Sequence, residues 1–304
     1  MHDKVLSVCL TGATGWLGRS LIETKTSFEC KFDLSLFGRN ESQLFLQSGE
    51  VLPIKTFEFK EVSKKSFDIF APFAFLTRDR ALTLTDSEYE LANKKLIESS
   101  VQVILSGKVG SVINLSSGVV SKMSDNQKTD STYSTYAKLK EYQEEQFASA
   151  CSTAGIPLIN CRVFSLSGID MQEPKKYAVG DLVFQALIKK SITLKSQSIV
   201  TRRYMDSRDL MHLLIQYAIS GRSYNIETGG YKVSLTELSE KILHLLGISK
   251  SNIFFESDSK LPSNEYFSNR NDFEDYAQTL SYKMESMENQ IENVVSALEF
   301  KANS

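Results

Sequence analysis

The stretch V-L-S-V-C-L-T-G-A-T-G-W-L-G, residues 5–18, sets the reading of the whole chain. Its first six residues form a short, mostly apolar run of the kind that makes a strand buried on both faces. Gly12, Gly15 and Gly18 follow at intervals of three, and an amphipathic stretch from Trp16 to about Thr26 opens at once. A strand, a glycine-rich turn and a helix in that order aim the free N–H groups of a helix start at one point. The glycines permit a tight turn, close approach of backbone to a pyrophosphate, and close helix–strand packing. The turn predicts a nucleotide site that uses Gly12, Thr14, Gly15, Trp16, Leu17 and Gly18.

The same alternation continues outward from this turn. L-S-L-F (34–37), I-K-T-F-E-F (54–59), I-F-A-P-F-A-F-L (69–76), S-V-I-N-L-S-S (111–117) and P-L-I-N-C-R-V-F (157–164) read as five further strands. Thr85 with Glu88 makes a capping-box signature before a helix to about Leu105, and residues 134–153 read as a long helix ending near Gly155. Strands and helices in alternation predict an α/β fold, a doubly wound parallel sheet. Beyond about residue 165 the pattern loosens. Helical periodicity returns at 180–190, 207–219 and 234–246, the last opened by a second capping box, Ser234 with Glu237. Residues 255–276 are rich in Ser, Asn and Asp and read as a surface loop. Leu280, Met284, Met287, Ile291, Val294 and Leu298 recur at helical spacing, so one helix is expected from about Ala277 to Phe300, its stripe serving as core.

Bulk properties narrow the function. The 304 residues suit one large domain or two joined ones, and the 41% apolar and 24% charged content is that of a soluble globular protein. A net charge of −2 gives no electrostatic case for nucleic acid or an anionic membrane. No apolar run is long enough to span a bilayer, and the early strand leaves no room for a removable signal peptide. Cys9, Cys30, Cys151 and Cys161 lack C-x-x-C spacing and read as reduced, mostly buried thiols. His2, His212 and His244 lie far apart, so no metal site is expected. These readings make the cytoplasm the expected location.

Two further stretches carry chemistry. The second strand ends F-G-R-N, placing Gly38 where dinucleotide folds usually carry an acid for the adenosine ribose, with Arg39 next. Gly38 leaves room, and the Arg39 fork suits a 2′-phosphate, so NADP(H) is preferred and NAD(H) is possible. The second stretch is S-T-Y-S-T-Y-A-K-L-K, residues 131–140. Only Tyr136 and Lys140 form a tyrosine–lysine pair four apart, on one helix face. Hydride transfer to a ketone needs a proton donor, and a phenol serves only if a neighbouring cation lowers its pKa.

These motifs resemble those of the extended short-chain dehydrogenase/reductases that act on nucleotide-activated sugars. T-G-A-T-G-W-L-G (11–18) matches their T-G-x-x-G-x-x-G, and L-S-S-G-V-V (115–120) looks like their serine motif. Tyr136 and Lys140 match Tyr-x-x-x-Lys, with Glu144 at the usual helix glutamate. R-V-F-S-L-S-G (162–168), R-R-Y-M-D-S-R-D-L (202–210) and Y-N-I (224–226) resemble later family segments. The resemblance spans roughly residues 5–250. It implies an NAD(P)-binding Rossmann domain over residues 1–165, with a return segment near 205–226, and a mainly substrate-binding domain over 166–304. It implies Tyr136 as acid, Lys140 as its cation and ribose ligand, and Ser117, with Ser116 as alternate, as the carbonyl-polarising serine. Ala74, Phe75, Leu76 and Val163 would join the cofactor site. Ser117, Gly118, Ser165, Arg202 and Arg203 would meet the substrate, with Arg202 or Arg203 on its diphosphate, and Tyr133 is placed near the sugar.

Departures from the family shape the expected reaction. The chain has Pro72 where relatives often carry His, no Asp-Glu after the aligned serine, no Cys beside it, and Ser165 for a frequent Asn. The missing Asp-Glu argues against 4,6-dehydration, and the missing Cys against the ring epimerisation that some reductases of the family add. Ser165 implies altered sugar contacts, and Pro72 removes a ladder donor at the strand end. The expected function is NADP(H)-dependent reduction of a nucleotide-activated 4-keto sugar, as in surface-polysaccharide assembly. The alternatives are an NAD(P)-dependent nucleotide-sugar 4-epimerase and a non-catalytic NADP(H)-binding sensor. The resemblance also implies a homodimer through the helices at 86–105 and 134–153.

Overall fold

The computed structural model describes residues 5–77, 81–124, 131–257 and 263–302. The chain forms two compact units, Met1–Val163 with Met211–Ile226, and Phe164–Leu210 with Glu227–Ser304. The first unit runs β1 (Val5–Thr11), α1 (Trp16–Thr24), β2 (Lys31–Gly38), β3 (Ser42–Phe45), β4 (Val51–Thr56), α2 (Phe59–Val62), β5 (Phe67–Pro72), α3 (Asp86–Leu105), β6 (Val109–Ser117), α4 (Gly118–Ser124), α5 (Ser131–Ala154) and β7 (Leu158–Val163). The chain then passes through β8 (Ser165–Ser167), α6 (Ala178–Lys189), β9 (Ile192–Leu194) and β10 (Val200–Asp206). Next come α7 (Ser207–Ile219), β11 (Tyr224–Glu227), β12 (Tyr231–Ser234), α8 (Leu235–Leu245), β13 (Ile253–Phe255), β14 (Asn264–Tyr266), α9 (Asp272–Thr279) and α10 (Met287–Ala302).

The first unit is built on an eight-stranded sheet in the order β11-β7-β6-β5-β1-β2-β4-β3. β1 pairs in parallel with both β2 (Val8↔Leu34) and β5 (Val8↔Ile69), so the direction of winding reverses at β1. In such sheets ligands bind beyond the carboxyl ends of the strands at this reversal. Those ends are Thr11 and Pro72, side by side in register. A core cluster joins Cys9, Phe70 and Val112 of the strands to Ile97 and Ile104 of α3 and Phe147 of α5. Burying a Phe side chain contributes roughly 1.5–3 kcal/mol, so this face anchors the two helices firmly. The α3 start is fixed by the expected capping box: Glu88 N donates to Thr85 Oγ1, and Thr85 N to Glu88 Oε2. The fold is the expected Rossmann-type α/β arrangement.

In the second unit β10 is the hub, pairing in parallel with β8 and β14 and antiparallel with β12. α8 opens with the expected Ser234–Glu237 capping box.

Several elements differ from those the sequence predicts; the strand expected over 54–59 ends at Thr56, and Phe59 opens α2. The apolar run 69–76 stops being strand at Pro72, where the ladder loses its donor. A short strand, β3, precedes the expected third strand and pairs antiparallel with it. The polar stretch 255–276 holds β14 and the start of α9 rather than a continuous loop. The single terminal helix is two. Ser281 adopts a left-handed φ of 53°, and Asp209 takes hydrogen bonds from Tyr282 Oη and Glu285 N, both 2.7 Å. These contacts hold the break and leave Leu280 39% exposed while Met287, Ile291 and Val294 are buried. The four cysteines are free. Among the described residues no helix is long and apolar enough to cross a membrane.

Candidate active site

The glycine turn adopts the geometry its sequence demands. Gly12 has φ +75°, and a Cβ there would lie 2.8 Å from Ala74 N. A Cβ on Gly18 would run into the Gly12 carbonyl oxygen, which is how α1 packs against the turn. Gly12 N donates to Phe37 O (3.2 Å) and Gly15 N to Gly12 O (3.0 Å), tying the turn to β2. No side chain caps α1. The amides of a helix's first turn lie outside the intrahelical ladder and make its anion-binding end. Close backbone approach, a Cβ-free surface and an uncapped helix start fit a dinucleotide pyrophosphate.

The segment after β5 is pinned beside this turn at two points. Ala74 N donates to Thr11 Oγ1 (3.2 Å) and Leu76 N to Asn93 Oδ1 (2.9 Å). The Asn93 amide returns a bond to Leu76 O (3.2 Å) and another to Tyr89 O (3.2 Å). Asn93 is fully buried in the middle of α3, and its side chain stands in for a neighbouring strand. Ala74, Phe75 and Leu76 thus lie next to the glycine turn. At the end of β2, Arg39 is exposed, and a Cβ on Gly38 would sit 3.0 Å from Ile54 Cγ2. A side chain at that position would need the Ile54 methyl to give way slightly.

Ser116 and Ser117 end β6, opposite Arg162 and Val163 of β7, and both are buried. Ser117 Oγ accepts a long bond from Val119 N (3.4 Å), whereas the Ser116 hydroxyl has no partner among the described residues. Gly118 begins α4 directly after them. α5 meets this end of the sheet through Ala137, which packs on Val119 and Val120 with Tyr136 against the cluster.

Lys140 is 6% exposed and donates to Leu115 O and Gln143 Oε1, both 2.9 Å. Its Nζ also lies 3.7 Å from the centroid of the Phe75 ring, which meets Tyr136 edge-on at 5.8 Å and 89°. Burial pushes the Lys140 ammonium down to about 7, partly opposed by Glu144. Glu144 itself is gripped by Arg162, whose Nη1 also reaches Ser121 Oγ (3.2 Å). The phenol of Tyr136 and the amine of Lys140 therefore stand one helical turn apart beside the serine-bearing strand end. That set can donate and recover a proton next to a polarised carbonyl.

In the second unit Ser165 is half-buried and pairs with Tyr204 across β8 and β10. Arg202 donates to Thr201 O (2.8 Å) and Asn264 O (3.1 Å) and lies over the Tyr266 ring. Arg203 corrects the expectation placed on it. Its Nε bonds Gly230 O, Nη1 bonds Ser268 O and Arg270 O, and Nη2 bonds Asn271 Oδ1 and Glu274 Oε1. All five guanidinium N–H groups are thereby committed, leaving none for a diphosphate. Arg203 is a structural tie. The Tyr133 side chain lies outside the described residues.

Sequence reasoning passed over Gln143, Asn93 and the partner of Glu144. Gln143 sits three residues after Lys140, where helical spacing brings it onto the same side. A polar Asn in the buried stripe of α3 was the signal for the second. Arg162 carried none, because its link to Glu144 joins distant segments.

The description of the NAD dependent epimerase/dehydratase family matches residues 8–226. The chain belongs to that family. This NAD dependent epimerase/dehydratase family member shares the fold of the extended short-chain dehydrogenase/reductases and is an enzyme of that type. A UDP-N-acetylglucosamine 4-epimerase from Methanobrevibacter ruminantium M1, in complex with UDP-N-acetylmuramic acid, superposes with TM-score 0.75 at 17% identity over 100% of both chains. A UDP-N-acetylglucosamine 4-epimerase from Bacillus cereus gives TM-score 0.72 at 15% identity, covering 97% of this chain and 96% of that one. The dTDP-glucose 4,6-dehydratase of Bacillus anthracis in complex with NAD gives 0.71 at 16% identity over 98% of each. No curated protein matches this family member in sequence.

Proposed function

We propose that the chain is an NAD(P)-dependent nucleotide-sugar 4-epimerase. The observation that carries this reading is the Tyr136–Lys140 pair on α5, held by Leu115 O beside Ser116 and Ser117. Family membership and the likeness to 4-epimerases support it. The nicotinamide, when bound, supplies the hydride exchange at the sugar carbon. Tyr136 takes the proton from the C4 hydroxyl and returns it to the re-formed alcohol. Lys140 would stabilise the phenolate, and its one N–H not given to Leu115 O or Gln143 Oε1 would bond the nicotinamide ribose. The serine hydroxyl at the end of β6 donates to the carbonyl oxygen while it carries charge. Gly12, Thr14, Gly15, Trp16, Leu17 and Gly18 cradle the pyrophosphate. Ala74, Phe75, Leu76 and Val163 border the nicotinamide half, and Arg202, Ser165 and Gly118 meet the nucleotide sugar. Two copies are proposed to pair through α3 and α5; α3 leaves Leu91 55% and Leu105 50% exposed.

A second reading, reduction of a 4-keto nucleotide sugar by NADPH, is favoured by one observation. Gly38 and exposed Arg39 replace the expected acid at the end of β2, which suits a 2′-phosphate and net reduction. Incubating the enzyme with UDP-hexoses, UDP-N-acetylhexosamines and their 4-keto forms, with NAD or NADPH, separates the two. Proton NMR showing interconversion of C4 epimers without net change in nicotinamide absorbance supports the epimerase. Stoichiometric NADPH loss on the keto sugar, with no epimer formed, replaces it by the reductase.

A further inference from the structure

Phe75 occupies an unusual place for a residue expected merely to border a cofactor. Lys140 has three N–H donors. Two go to Leu115 O and Gln143 Oε1, and the ammonium also lies over the Phe75 face, 3.7 Å from its centroid. The same ring meets the Tyr136 ring edge-on, an attractive geometry for two aromatic quadrupoles. It also packs against the buried cluster of Ala81, Tyr89 and Leu139. Its backbone has little freedom, since Thr11 holds Ala74 and Asn93 holds both polar groups of Leu76.

We propose that Phe75 is a positioning residue: clamped on both sides, its ring fixes Tyr136 and Lys140 relative to each other and keeps water off the Lys140 ammonium. The inference rests on the reading of Tyr136 and Lys140 as the proton-transfer pair. Glu144 lies on the same helix as Lys140, is paired with Arg162 of β7, and partly opposes the effect of burial on Lys140. The Tyr136 phenol lies one turn earlier. From other elements β6 presents the Leu115 carbonyl, and the segment after β5 presents the ring. Removing the ring therefore removes apolar cover and adds no charge. Burial is the main cause of the low Lys140 value, so hydration must raise it.

The test is a series, Phe75→Leu, Phe75→Val and Phe75→Ala, each checked for a native circular dichroism spectrum and cooperative melt. In the free protein, pH-dependent acetylation of Lys140 by acetic anhydride, read by peptide mass spectrometry, reports when the amine loses its proton. The midpoint is expected to rise as the side chain shrinks, by about one pH unit or more at alanine. Turnover is expected to fall about tenfold at alanine, the leucine variant keeping more of it. Any folded member of the series with an unmoved Lys140 midpoint overturns the proposal. The labelling needs neither substrate nor cofactor. A shifted midpoint in a protein that epimerises nothing keeps Phe75 in its role and refutes only the proposed reaction.

Discussion

Arg162 of β7 holds Glu144 of α5 in a two-pronged grip, Nε to Oε1 at 2.9 Å and Nη2 to Oε2 at 2.8 Å. Planar, bidentate pairs of this kind give direction as well as attraction. The grip binds the helix carrying Tyr136 and Lys140 to the strand next to the one that ends in the serines. Glu144 thus serves the site at one remove: it orients α5 and opposes the loss of charge at Lys140.

Glu144→Gln keeps the shape of the side chain and breaks the charge match. It is expected to lower unfolding stability by roughly 1–3 kcal/mol, the cost of leaving Arg162 half-buried without its anion. Urea denaturation measures it. The Lys140 midpoint should also fall, since the carboxylate that raised it is gone; an unchanged or higher midpoint would contradict this role.

Tyr136→Phe removes one oxygen and keeps the ring against Phe75. Turnover should drop at least ~100-fold, the scale of lost acid–base assistance. Melting temperature and cofactor affinity should stay close to those of the parent. Steady-state kinetics beside a fluorescence binding titration checks both, and retained turnover would remove Tyr136 from the acid role.

Arg39→Ala is expected to weaken NADPH binding about tenfold, the loss of roughly one charge-assisted hydrogen bond, while NADH binding hardly changes. Calorimetric titration of both nucleotides decides it. Equal losses for the two would mean that Arg39 touches the adenosine without reading its phosphate.

Burial pushes Asp209 up to about 7 and Asp206 up to about 6, from 3.8 in an open chain. The folded protein therefore keeps protons that the unfolded chain releases between about pH 4 and 7. These carboxyls favour folding at the acid end and cost stability as pH climbs to 7. Lys140 acts in a later window: the unfolded chain holds its proton above about 7 where the folded chain does not, so stability rises from there toward 10.5. Asp209→Asn should gain on the parent as pH rises from 5 to 8, read from melting temperatures in matched buffers. A constant difference would show that Asp209 does not titrate in this range.

Much of the site could be read along the chain because its chemistry is local. The glycine turn, the two capping boxes and the Tyr136–Lys140 spacing each lie within a few residues, where backbone geometry fixes who meets whom. What escaped depends on distance along the chain. The terminal apolar stripe has helical spacing throughout, yet Asp209, some seventy residues earlier, captures Tyr282 and Glu285 and breaks it. Arg203 looked like a free cation beside Arg202, and its five acceptors come from residues 230–274. β3 is four residues with a single buried side chain, too short for alternation to reveal. Phe75 lay in a run read as strand, and only folding brings its ring to Lys140.

The Asn93 side chain gives the chain a point of chemical ageing. Its amide accepts from Leu76 N and donates to Leu76 O and Tyr89 O, so both ends of the group are in use. Deamidation would change its outline by a single atom and turn that donor into an acceptor facing two carbonyls. Helical and fully buried, Asn93 is shielded from this reaction while α3 stays closed. Loss of the amide would thus record how often that helix has opened, as a mass increase confined to one peptide.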